Sequence, residues 1–133
     1  MNTNIQIKTN SKSARELFFP ELSYKLVGIL FSTHNELGPW SKEKQYGDVI
    51  ARKLSEIKVK FKRECVIGES GNIVDFIIED KIILELKAKR LLVSDDYIQA
   101  QRYLQETQLK LALLVNFRSK YLKPIRVVRI NLN

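Results

Sequence analysis

The sequence predicts a mixed α/β domain built around one sheet, with elements in the order α-α-β-β-β-α-β-β. Three observations predict it. Apolar residues recur at helical spacing over roughly residues 20–56, and near residue 58 the period switches to two. Two β-branched runs separated by Glu79-Asp80-Lys81 then read as a hairpin, followed by one more helix and two more strands. At 133 residues the chain fits a single domain. Residues 1–14 are polar and without a sustained apolar period, so they read as a flexible tail, with a short strand at Ile5–Ile7; residues 15–133 form the domain.

In the first helix, about residues 21–36, Leu22, Leu26, Ile29, Leu30 and Thr33 form one stripe, and Gly38-Pro39 stops it. The second helix, about 41–56, carries Tyr46, Val49, Ile50 and Leu54 on one face and Lys42, Lys44, Arg52 and Lys53 on the others. Val59, Phe61, Arg63 and Cys65 then alternate with Lys58, Lys60, Lys62 and Glu64, the pattern of a half-buried strand. Gly68 to Asn72 is turn chemistry, and Ile73–Ile78 and Ile82–Ala88 are the hairpin strands. Ser94 caps a third helix whose first turn is acidic and which runs to about Thr107. Leu109–Asn116 and Ile125–Ile130 are the last strands, with Pro124 at a strand's start, where the missing N–H does no harm.

The net charge of +8 calls for a polyanionic partner, most simply nucleic acid, or serves only solubility. No apolar run reaches the ~20 residues of a membrane span, and the polar N-terminus has no secretory signal. One cysteine, Cys65, and one histidine, His34, exclude an internal disulfide and a Cys/His zinc cluster within one chain. A cytoplasmic location is expected. Cys65 reads as a core residue and His34 as a helix-end or packing residue.

Charged residues inside apolar strands need a physical reason, because burying an unpaired charge costs several kcal/mol. Asp75 sits between Val74 and Phe76, and Glu85 and Lys87 sit within Ile82–Ala88. Glu85 and Lys87 are two apart and share a face. With a three-residue turn at Glu79–Lys81, Asp75 lies across from Glu85, with Cβ atoms ~5 Å apart. Two such carboxylates repel unless a cation lies between them, and hard oxygen ligands suit Mg²⁺ or Mn²⁺. The competing reading is a same-face salt bridge to Lys87 on a solvated side of the sheet. Glu43 and Tyr46 share one helix face, as do Gln99 and Tyr103 on the third helix. A packed helix can therefore aim Glu43 at a metal and Gln99 at a phosphate. The two tyrosines equally suit the core, with a polar tip.

Glu43-x-x-Tyr46, then Asp75, then Glu85-Leu86-Lys87, then Gln99-x-x-x-Tyr103 resembles the PD-(D/E)XK nuclease superfamily. More narrowly, the segments 34–39, 75–88 and 111–117 are similar to those of the bacterial GxxExxY proteins. Trp40 stands where that signature has its first glycine, and Val74 replaces the proline before Asp75. The resemblance implies a restriction-endonuclease-like mixed sheet flanked by helices. It implies Asp75, Glu85, the main-chain carbonyl of Leu86 and Glu43 as metal ligands, Lys87 as the catalytic lysine, and Gln99 and Tyr103 as the site's Gln-x-x-x-Tyr motif.

The function expected is metal-dependent hydrolysis of phosphodiester bonds in nucleic acid, with DNA the first expectation. Its rival is a non-catalytic nucleic-acid-binding or regulatory module of the same fold. Lys89, Arg90, Arg102, Lys42 and Lys44 are candidate phosphate contacts, each with a solvated surface charge as the bland alternative. Trp40 would stack on a base if exposed, or act as a buried staple. A homodimer through the last strands is a third reading.

Overall fold

A computed structural model describes residues 18–131. The elements are α1 (Pro20–Leu37), α2 (Glu43–Glu56), β1 (Phe61–Ile67), β2 (Asn72–Ile78), β3 (Ile82–Lys87), α3 (Ser94–Thr107), β4 (Leu111–Asn116) and β5 (Ile125–Val128). The order is the one expected. The tail at 1–14 and the strand expected at Ile5–Ile7 lie outside the described residues.

Five strands form one sheet in the order β1-β2-β3-β4-β5. Only β3 and β4 are parallel; the other neighbours are antiparallel. A parallel pair needs a long crossover, and α3 supplies it. Helices α1 and α2 cover one face, where Leu26, Leu30, Ile50 and Leu54 meet Phe76, Ile82, Leu84 and Leu113. Helix α3 covers the other face, with Ala100, Tyr103 and Leu104 against Val74, Ile83, Ala112 and Leu114. The inner strands are thus apolar on both sides, as a sheet between helix layers must be.

The turn that sets the β2–β3 register is the one the sequence indicated. Lys81 N–H donates to Ile78 O at 2.9 Å. Glu79 and Asp80 have φ of 54° and 55°, the left-handed pair of a tight hairpin turn. Neither is glycine, so the turn carries a steric cost. It is offset where Glu79 N–H donates to Lys60 O and Lys60 N–H to Glu79 Oε1, both at 2.9 Å.

Element ends differ from expectation for local reasons. Helix α2 starts at Glu43 rather than 41, because Tyr46 pins the preceding loop: its hydroxyl donates to Gly38 O and accepts from Ser41 N–H. Gly38 does end α1, with φ 73° and its N–H on His34 O at 2.7 Å. Strand β1 begins at Phe61 and runs to Ile67. Ser94 is not the cap of α3 but its first residue; Asp96, three residues after Val93, accepts Val93 N–H at 2.8 Å and closes the turn. Strand β5 stops at Val128, where α3 takes over the backbone: Gln101 Nε2 donates to Val128 O and Gln105 Nε2 to Ile130 O, each at 2.7 Å. Those bonds occupy part of an edge that strand pairing between two copies would need.

Candidate active site

Asp75 and Glu85 are brought together where β2 and β3 stop pairing through their backbones. Paired positions end at Phe76↔Leu84. One step further, Glu85 Oε1 accepts Asp75 N–H at 2.9 Å, and Asp75 Oδ2 accepts Leu86 N–H at 2.7 Å. Each carboxylate thus takes a main-chain donor of the other's strand. Asp75 thus lies opposite Glu85, as the three-residue turn implied, and the acids meet in the gap between the strands. Asp75 lines a cavity of about 200 Å³ with Glu43, Lys44 and Gly47 of α2, Arg63 and Glu64 of β1, and Leu86. Lys87 reaches toward the opposite layer, where its Nζ donates to Gln99 Oε1 of α3 at 2.9 Å.

Burial raises the pKa of Glu85 to about 8, and the Asp75 charge adds to that. Glu85 is only 5% exposed. Burial also raises the Asp75 pKa, with Glu43 pushing the same way, while the Leu86 N–H and Lys87 pull against it. Two adjacent carboxyls held this way favour ionisation only when a cation arrives. The bonds to main-chain N–H groups engage one oxygen of each acid. Asp75 Oδ1 and Glu85 Oε2 have no protein hydrogen bond among the described residues. An all-oxygen donor set with unused lone pairs, beside a small cavity that Asp75 lines, fits a hard divalent cation. Among the described residues no three His, Cys, Asp or Glu side chains stand close enough to hold a metal by themselves. Glu43 therefore shares the cavity with Asp75 rather than completing a cluster with the pair.

The remaining expected residues divide clearly. Gln99 holds Lys87 rather than facing open space. Tyr103 is buried at the foot of the site; burial raises its pKa, as do the Glu85 and Asp75 charges. Tyr46 is a core residue, stacked on Phe117 with centroids 4.1 Å apart. Its polar tip latches the α1–α2 loop. His34 is a packing residue whose Nε2 bonds Ser119 O at 2.9 Å. Lys44 pairs with Asp48 at 3.0 Å, and Lys89 with Asp96 at 2.9 Å. Lys42, Arg90 and Arg102 are exposed. Trp40 is 80% exposed, so it is no buried staple. Cys65 packs at the margin of the α3-side core.

Three contributors escaped sequence reasoning. Asp96 pairs with Lys89 and lies 3.9 Å from Lys87 Nζ. Burial works against its charge, but the Val93 N–H and Lys89 hold its pKa below the usual carboxylate range. Arg63 lies over the Phe76 ring at 5.6 Å and donates to Asp48 Oδ1 at 2.7 Å. Glu64, opposite Asp75, has φ 50° and lines the same cavity. A charged residue on the apolar side of an alternating strand was the available signal for Arg63.

Residues 20–129 match the family described as the PD-(D/E)XK nuclease superfamily. Among solved structures, the chain is similar to one titled "Crystal structure of SSO0001" at 17% identity and a TM-score of 0.44, over 75% of this chain and 61% of that one. The chain thus spans about three-fifths of that protein's length. The search of curated proteins found no match.

Proposed function

The chain belongs to the PD-(D/E)XK nuclease superfamily, and from that premise we propose that it hydrolyses phosphodiester bonds in nucleic acid, with DNA the first candidate, using Mg²⁺ or Mn²⁺. The observation that carries the reading is the pair Asp75 and Glu85, buried in the gap between two strands with an oxygen of each turned away from the main-chain donors. Asp75, Glu85 and the carbonyl of Leu86 would hold the ion, with Glu43 across the cavity. A bound divalent cation supplies a polarised phosphate oxygen and a water of lowered pKa.

The residues of the chain do the rest. Lys87 presents an ammonium to the charge that develops on the phosphate. Gln99 fixes that ammonium through the bond at 2.9 Å, and an Asp96 carboxylate oxygen lies 3.9 Å from it. The finer likeness to GxxExxY proteins rests on the segments His34–Pro39, Asp75–Ala88 and Leu111–Phe117. A cytoplasmic setting fits the lone cysteine; among the described residues no helix is long and apolar enough to cross a membrane.

The test is turnover on a panel of labelled single- and double-stranded oligonucleotides with Mg²⁺ or Mn²⁺. Wild type is expected to cleave at least one, and Asp75→Ala and Lys87→Ala to lose at least about 100-fold. Cleavage that survives Asp75→Ala would overturn the proposal. Binding without any turnover would favour the non-catalytic module.

A further inference from the structure

We infer that the protein carries a stacking platform for single-stranded nucleic acid beside the candidate active site, centred on Trp40 and Tyr121. The inference deepens the nuclease reading by naming the strand form and rests on it for the link to cleavage, though the surface itself stands on separate observations.

Three loops meet at the end of the sheet where β3 and β4 finish: residues 38–42, 88–93 and 117–124. Asn116 joins the second to the third, donating Nδ2–H to Lys89 O at 2.8 Å and accepting Lys89 N–H at 3.1 Å. Arg118 joins the first to the third, its Nε donating to Pro39 O at 2.7 Å. These loops carry Lys42, Lys89, Arg90, Arg118, Lys120 and Lys123 and no acidic residue. Asp96 neutralises Lys89 from the start of α3, and the others remain a basic rim.

Two aromatic side chains stand on that rim. Trp40 is 80% exposed and Tyr121 79%. Both rings are therefore accessible to a partner, and each has a cation beside it. The Arg118 guanidinium lies 5.0 Å from the indole centroid and covers one side of it. The Lys120 ammonium is 5.4 Å from the Tyr121 ring. An open ring face backed by a cation suits an unpaired base with its phosphate alongside. Base faces within a duplex are already stacked on one another and cannot use it.

The platform is rigid and continuous with the site. Tyr46 pins both sides of Trp40, through Gly38 O and Ser41 N–H. Tyr46 stacks on Phe117, and Phe117 N–H donates to Lys87 O at 2.9 Å. Three residues after Trp40 comes Glu43, on the wall of the cavity that holds Asp75. The loop that carries Trp40 is thereby tied through Tyr46 and Phe117 to the backbone of Lys87.

Trp40 is the chain's one tryptophan, so its emission reports on this spot directly. The experiment titrates the intact protein, in EDTA so that nothing is cleaved, with oligo(dT) and with a blunt duplex of equal length. Oligo(dT) is expected to quench Trp40 saturably and the duplex far less. By anisotropy of labelled oligo(dT), Trp40→Ala should weaken binding about tenfold and Trp40→Phe much less. Equal quenching by the duplex, or unchanged oligo(dT) affinity in Trp40→Ala, would overturn the inference. Because Trp40 is exposed, a thermal melt of Trp40→Ala is expected to match wild type, and a lowered melt moves the affinity test to Tyr121→Ala. Since binding is read without turnover, a protein that cleaves but does not discriminate loses only this inference. One that discriminates but never cleaves loses only the nuclease reading.

Discussion

The two halves of the β2–β3 hairpin are built on opposite principles. From the turn to Phe76↔Leu84 the strands pair through their backbones, and Phe76, Ile78, Ile82 and Leu84 are buried. One residue further, side-chain carboxylates take the main-chain donors, and two acids of raised pKa share the gap. The first half lowers the free energy of the fold by removing apolar surface from water. The second holds two acids whose joint ionisation is costly until a cation relieves it. The difference teaches that a strand can be structural and functional in successive residues, provided the structural part is strong enough to hold the other open.

The sharpest way to break that contrast is to truncate one residue on each side. Phe76 is 1% exposed, beneath Arg63 and beside Phe61. Phe76→Ala should cost about 3–5 kcal/mol. Glu85→Gln keeps an acceptor for Asp75 N–H and removes a buried charge, so without metal at pH 8 it should be neutral or stabilising. Urea unfolding of both variants checks this. A loss in Glu85→Gln comparable to that in Phe76→Ala would mean that the open half is structural too.

Proton linkage gives a smaller effect on the same axis. The Glu85 pKa is about 8 in the folded chain against 4.5 for an ordinary glutamate. The native state then binds more protons than the unfolded state across that interval, so stability falls as pH rises. The contribution is fully present below about pH 4.5 and is gone above about pH 8, and it amounts to at most a few kcal/mol. Thermal melts in EDTA should show the decline, and Glu85→Gln should flatten it. Mn²⁺ should restore stability at the alkaline end, because it binds the ionised pair. A metal-free curve that rises through this window would contradict the reading of a repelling pair.

Much of this contrast was legible in the sequence, and the rest was hidden for a definite reason. Alternation and the three-residue turn place Asp75 opposite Glu85 and put Glu85 and Lys87 on the α3 side, because side-chain direction follows from a regular ladder. The same rule fails at the next step, where the ladder stops and the carboxylates turn into the gap. Periodicity assumes the backbone bonds that Asp75 and Glu85 replace. Helix stripes were legible for the same reason as the turn, and the ends of α2 and β5 less so. They depend on Tyr46, Gln101 and Gln105 reaching across to other segments. Asp96 was legible as a first-turn acid but not as the partner of Lys89, since that contact depends on how α3 docks.

One sequence signal at the boundary between the halves remained unread, and it yields the smallest effect. Gly47 lies inside α2, where glycine costs about 1 kcal/mol relative to alanine. A Cβ there would lie 2.4 Å from Arg63 Nη2. The glycine thus makes room for the guanidinium that crosses from β1, covers Phe76 and binds Asp48. Arg63 pairs with Phe76, immediately before the row where Asp75 faces Glu64. In Gly47→Ala the helix gains propensity while the flexible end of Arg63 must give way, so net stability should change by less than about 1 kcal/mol. The Asp48 carboxyl is the better reporter. Its pKa lies below the ordinary range first because of the Arg63 hydrogen bond and then because of Lys44. Displacing Arg63 should raise it, while Lys44 keeps it from returning fully. A carboxyl titration by NMR that leaves Asp48 unmoved would show that Arg63 is not held by the space Gly47 leaves, and the boundary between the two halves would need another explanation.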